Sequence, residues 1–165
     1  MASEAEELFV RLQSADVAVR RTAAESLSRI AADLAADAEA IVAACRDEDE
    51  QVREWLFAAL EELPAPPAGC AESLSALLGD QNTNVVYWAV TLLGRMQAAA
   101  APGVPNLSAV LAAHPQITLR QRAAWALGKM GPAAETARRP LEEAAASDDD
   151  TLAKFSQLAL RSLDA

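Results

Sequence analysis

The chain repeats itself, and the period of that repeat constrains the fold more than any other feature. Apolar residues Val19, Ala23, Leu27 and Ile30 are followed by Val52, Leu56, Leu60 and Leu63, then by Val85, Ala89, Leu93 and Met96. Leu119, Ala123, Leu127 and Met130 continue the series, and Leu152, Ser156, Leu160 and Leu163 close it. The first members advance by 33, 33, 34 and 33 residues, and within each copy the offsets are 0, 4, 8 and 11. Those offsets draw a single stripe along an α-helix. A shorter stripe precedes each one: Leu8 and Leu12, Ile41 and Cys45, Leu74 and Leu78, Leu107 and Leu111, Leu141 and Ala145. A self-similar segment of this length is a supersecondary unit that cannot cover its own apolar face and must stack on its neighbours.

Each unit therefore reads as a first helix, a short turn and a longer second helix. The chain is expected to be all-α, a single domain over 1–165, with units near 3–34, 35–66, 67–101, 102–133 and 134–165. The turns Ser14 to Asp16, Asp47 to Asp49, Asp80 to Asn82, His114 to Gln116 and Ser147 to Asp149 carry Asp, Ser and Asn suited to capping the second helix. The one extra residue of the 34-residue step falls in the turn holding His114 and Pro115. Ser3 with Glu6 forms a capping box for the first helix. Pro64, Pro66 and Pro67, then Pro102 and Gly103, then Gly131 and Pro132 separate later units, whereas 31–37 contains no helix breaker. Aromatics make up only 4% of the chain, so its core must come from Ala, Leu and Val, which suits closely packed helices.

Within the units a second pattern recurs, an acidic or polar residue three before an apolar one that is followed by Arg. It reads Asp16 to Val19 and Arg20, and Asp49 to Val52 and Arg53. It weakens to Asn82 and Val85, keeps Leu119 and Arg120, and ends at Asp149 and Leu152. This pattern resembles the short bacterial-type HEAT repeats, including those of pigment lyases, over nearly the whole chain. The resemblance implies a right-handed α-solenoid of five antiparallel helix pairs, with the second helices lining a concave surface. It also implies that Asp16, Arg20, Asp49, Arg53, Arg120 and Asp149 act structurally, bridging neighbouring units.

If the second helices line a surface, offsets 2, 6 and 9 oppose the core stripe at 100° per residue. The first two units place mixed charge there: Arg21, Glu25, Glu54 and Glu61. The third to fifth place Tyr87, Thr91, Trp125 and Leu158, with Gly94 and Gly128 leaving space beside them. Arg95, Arg122, Lys129 and Arg161 fall at the margins. Large aromatics beside arginine on an exposed face have the composition of an interface anchor. The expected protein-binding set is Tyr87, Trp88, Thr91, Gly94, Arg122, Trp125, Lys129 and Leu158. The flanking column, Trp55, Trp88 and Phe155, either borders this surface or packs between helices.

Chemistry is sparse. His114 is the only histidine, so no two-histidine metal motif exists, and no phosphate-cradling glycine loop or nucleophile elbow is present. The runs Asp47 to Glu50 and Asp148 to Asp150 lie where helices begin, and carboxylates there favour the helix dipole. No catalytic residue, cofactor or metal site is expected. Cys45 and Cys70 are too few for a disulfide framework, and both read as reduced thiols. The start of the chain lacks the basic and apolar regions of a secretory signal, which gives cytoplasmic as the expected location. A net charge of −10 argues against nucleic acid and anionic membranes as partners. The expected function is a non-catalytic scaffold binding a protein or peptide on the concave face, its identity and the oligomeric state being open. The alternative, implied by the resemblance, is ligand handling of the pigment-lyase type.

Overall fold

A computed structural model describes residues 4–165; Ser3, and with it the proposed capping box, lies outside the described residues. Helices alternate short and long along the chain, and no strand occurs among the described residues. Two compact units divide the chain, the first ending at Ala65 and the second spanning Pro66–Ala165.

The first unit contains α1 (Glu4–Arg11), α2 (Val17–Arg29), α3 (Ala38–Ala44) and α4 (Glu50–Glu62). Each short helix packs on the long one after it, and α2 packs on α4. The segment without a breaker turns by two short 3-10 helices, Ala31–Asp33 and Ala35–Asp37. Leu34, between them, is buried and anchors the turn to the core. Asp16 and Asp49 accept from the backbone N–H groups of Ala18 and Val52 at 2.9 and 3.0 Å, fixing where α2 and α4 begin.

Two ion pairs run from α2 to the turn that precedes α4. Arg20 Nε donates to Asp47 Oδ2 at 2.7 Å, and Arg21 donates to both oxygens of Asp49 at 2.9 and 2.6 Å. Arg21, together with the Val52 N–H, holds the Asp49 carboxyl down at about 2. The resemblance therefore requires correction at individual residues. Arg20 does bridge two repeats, but Arg53 Nη1 turns back to the Asp47 and Glu48 carbonyls, both at 2.8 Å. Arg120 likewise donates to the Leu111 carbonyl at 2.8 Å, and Asp16 caps its own helix. All three arginines donate to carbonyls at or just beyond the end of their own first helix, Arg20 to that of Ser14 at 3.0 Å, and Arg20 reaches the Asp47 carboxylate as well.

The second unit contains α5 (Ala71–Ala76), α6 (Thr83–Met96), α7 (Val104–Ala113), α8 (Ile117–Met130), α9 (Arg138–Ala145) and α10 (Asp150–Leu163). Packing of α5 on α7 and α7 on α9 makes one layer, and α6 on α8 and α8 on α10 makes the other. Leu74, Leu93, Leu107, Leu111, Leu127 and Leu141 are fully buried where the layers meet. Small residues set the spacing within layers: a Cβ on Gly128 would lie 3.2 Å from the backbone of Ala159 in α10. Asn82 and Asp149 cap α6 and α10, and Asp149 also accepts from Gln121 Nε2 at 2.9 Å. Gln116 makes no side-chain cap; instead its own N–H donates to His114 Nδ1 at 3.1 Å, inside the turn that holds the extra residue.

Candidate functional site

The exposed side of the α6, α8 and α10 layer carries a contiguous aromatic and cationic cluster. Its centre is Trp125, on the α8 face opposite the buried Leu119, Ala123 and Leu127. The six-membered edge of the indole closes on α6 at Gly94: a Cβ there would sit 2.4 Å from Trp125 Cζ3 and 3.0 Å from Cη2. Only glycine lets the ring settle this close. Arg122, one turn earlier, places its guanidinium 4.6 Å from the Tyr87 ring centroid and 5.3 Å from that of Trp125. Its Nη2 donates to Tyr87 Oη. Lys129 Nζ, one turn later, is 5.9 Å from the Trp125 ring. Cations over aromatic faces at such distances are attracted by the ring quadrupole, so Arg122 and Lys129 bracket the indole.

Around that centre lie two adjoining depressions that share Trp125 and Phe155 as a common wall. One, of about 220 Å³ between α8 and α10, is lined mainly by apolar groups, among them Ala124, Gly128, Leu158 and Ala159. The other, of about 440 Å³, is bounded by Tyr87, Thr118, Gln121 and Arg122. Leu158 is 48% exposed, one of few large apolar side chains left so open among the described residues.

The structure thus brings together Tyr87, Arg122, Trp125, Lys129 and Leu158. It sets three of the expected residues beneath them. Trp88 is buried, its ring perpendicular to Tyr87 at 5.5 Å between centroids. Thr91 is buried, with its hydroxyl donating to the Tyr87 carbonyl at 2.8 Å. Gly94 is buried under the indole, so the space expected beside it is occupied by Trp125 itself. Gly128 is similarly taken up by the approach of α10. Phe155, left open by sequence reasoning, belongs to the site, and so do Gln121 and Thr118. The wheel already put Gln121 on this face, whereas nothing in the sequence singled out Thr118.

Other features lack comparable convergence. A roomier, shallow depression of about 460 Å³ near the turns includes Asp80, Asn106 and His114. In the first unit a depression of about 340 Å³ is lined by Phe9, Leu12, Arg46 and Asp47. Cys45 is fully buried and burial pushes its thiol up to about 12, which keeps it protonated and unreactive. No group of three or more His, Cys, Asp or Glu among the described residues is placed to hold a metal ion. No helix among them is long and apolar enough to cross a membrane.

A family model described as HEAT repeats matches residues 71–161, more than half of the chain. A search of curated proteins finds no match. Among solved structures, an engineered protein is similar at 22% identity with a TM-score of 0.68, covering 98% of this chain and 80% of that one. A designed armadillo repeat protein in complex with the peptide (KR)4 is similar at 16% identity and TM-score 0.67, covering 97% and 82%. The complex of CpcE and CpcF of phycocyanin lyase from Nostoc sp. is similar at 20% identity and TM-score 0.64, covering 99% of this chain and 66% of that one. At these identities the likeness is one of fold.

Proposed function

Because the chain belongs to the HEAT-repeat family, we propose that it is a non-catalytic scaffold whose α6, α8 and α10 face binds a protein or peptide. The observation carrying this reading is Trp125, held in place by Gly94 below and Arg122 beside, next to an apolar depression and the exposed Leu158. A rigid aromatic flanked by arginine loses little entropy on binding and is the usual composition of an interface hot spot. A helical repeat fold supports the reading, since stacked units present one extended face, and a designed armadillo relative is seen in complex with a peptide.

The test places a photo-crosslinking residue at Leu158 in one variant and at Ala112, exposed on α7, in another. Crosslinks to a protein partner should form from position 158, fade when Trp125→Ala is added, and be absent from position 112. Equal crosslinking from both positions, indifferent to Trp125, would place binding elsewhere and refute the proposal. A pigment-handling role has support only in the fold shared with the phycocyanin lyase subunits. Retention of a free bilin by the purified chain, lost in Trp125→Ala, would favour it instead.

A further inference from the structure

The binding face is electrostatically opposite to the rest of the chain. Helices α6, α8 and α10 contain Arg95, Arg120, Arg122, Lys129, Lys154 and Arg161 against the single acid Asp150, in a chain whose net charge is −10. Elsewhere five cations are neutralised locally. Arg20, Arg21 and Arg29 in the first unit, and Arg138 and Arg139 on α9, all sit within 3.0 Å of a carboxylate. Arg122, Lys129, Lys154 and Arg161 make no ion pair with any described carboxylate; Arg122 and Lys129 instead rest on aromatic rings.

Helix dipoles account for part of this arrangement only. Arg95, Lys129 and Arg161 lie in the last turns of their helices, where a cation is favoured. Arg122 and Lys154 lie in the first halves of α8 and α10, where the dipole disfavours positive charge. Helix α8 moreover has no acid in its first turn to compensate.

Spacing turns these charges into a pattern. On α8, Arg122, Trp125 and Lys129 stand at i, i+3 and i+7; on α10, Lys154, Leu158 and Arg161 stand at i, i+4 and i+7. Both spacings lie along one helix face. Two neighbouring helices thus each present cation, apolar group, cation, and the depression of about 220 Å³ opens between their apolar members.

Resting on the binding face assigned above, we infer that its occupant is an acidic peptide segment carrying one apolar side chain. The apolar side chain enters the depression between Trp125 and Leu158. Carboxylates before and after it meet Arg122 and Lys154 on one side, Lys129 and Arg161 on the other. Arg122 has guanidinium donors beyond the one given to Tyr87, and such a fork binds a carboxylate strongly. A nucleic acid would satisfy the cations but offers no branched aliphatic side chain for the depression, and a net charge of −10 opposes a long polyanion.

The intact chain is titrated against a short fluorescein-labelled peptide of Asp and Glu around one central leucine. Companion probes replace the leucine by serine, replace the acids by lysine, or are oligothymidylate of equal charge. Anisotropy measures affinity, and the Trp125 indole N–H signal, assigned by its loss in Trp125→Phe, reports position. The acidic leucine peptide should move that signal and bind at least about tenfold tighter than each companion, a difference of about 1.4 kcal/mol. Its affinity should fall with salt and drop about tenfold in the Lys154→Glu and Arg161→Glu variants. Both side chains are exposed, so circular dichroism should be unchanged. Tighter binding of the lysine peptide with movement of the Trp125 signal would overturn the acidic partner but leave the binding face standing. Equal binding of oligothymidylate with the same movement would reassign the partner as nucleic acid. Binding of the acidic peptide without movement of Trp125 would sink both readings, and failure of every probe to bind would sink the inference.

Discussion

Two equivalent turns of the second unit offer an internal measurement of backbone strain. After α6 the chain turns at Gln97, with φ 52° and ψ −136°; after α8 it turns at Gly131, with φ 58° and ψ −140°. Each residue donates its N–H three residues back, Gln97 to Gly94 and Gly131 to Gly128, and each starts a 3-10 stretch of seven residues. The conformation lies in a region that L-residues rarely enter, and holding a side chain there costs of order 1–3 kcal/mol. Gln97→Gly removes that strain but frees the unfolded backbone, which costs about 0.5–1 kcal/mol. The net expectation is a gain of about 1 kcal/mol. The reciprocal Gly131→Gln should lose a similar amount. A Cβ there meets nothing closer than the Ser162 carbonyl at 3.5 Å, so that loss would come from backbone strain and not from a clash. Urea unfolding is the assay: the midpoint should rise for Gln97→Gly and fall for Gly131→Gln, with the slope unchanged in both. Shifts of the same sign for the pair, or no cost at position 131, would show that the turn relaxes freely and that the strain argument is wrong.

Ser156 is fully buried and its Oγ has no partner among the described residues, at a stripe position where other copies have Ala23, Ala89 and Ala123. Ser156→Ala should therefore stabilise the protein by about 1–2 kcal/mol, read as a higher urea midpoint; a lower one would mean that the hydroxyl is satisfied. Acid should weaken the first unit through Asp49, whose carboxyl titrates at about 2 when folded against about 3.9 in an unfolded chain. A depressed folded value gives stability that is full above about pH 4 and lost as pH falls toward 2. Asp49→Asn should flatten that acid limb in circular dichroism melts from pH 5 to 2, and an unchanged limb would count against the Arg21 pairing.

The helix pairs were legible because burial forces the apolar stripe to repeat with the unit, and the stripe reads the same in any stacking. Caps were legible for a related reason: Asp16, Asp49, Asn82 and Asp149 act on backbone within three residues. Distances between helices were not. A wheel gives the direction of Gly94 and Gly128 but not the separation of the helices beside them, so two positions read as open space are filled by an indole and by Ala159. Bridges between repeats were legible in part: Arg20, Asp49 and Asp149 do bridge, but the partners of the two aspartates were not foreseen. The motif suggested the arginine after the stripe's first residue, whereas Arg21 and Gln121, one place further on, reach the caps Asp49 and Asp149.

The same positions explain why the aromatic cluster forms where it does. Two residues beyond the stripe's start, Arg21 and Gln121 each point to the capping aspartate of the following turn. Tyr87 occupies that place on α6, but the turn before α8 contains the inserted residue and has Gln116 at the capping position, which has no carboxylate and makes no side-chain cap. Tyr87 instead receives Arg122 from the adjacent helix. Among the described residues Arg122 has no carboxylate to offset its charge, and over two rings it is held in position. Gly94 completes the arrangement by letting the indole lie beside that guanidinium. A one-residue insertion in a turn, tolerated by the repeat as a matter of stability, thus coincides with the place where a position used for stapling units becomes part of an exposed surface.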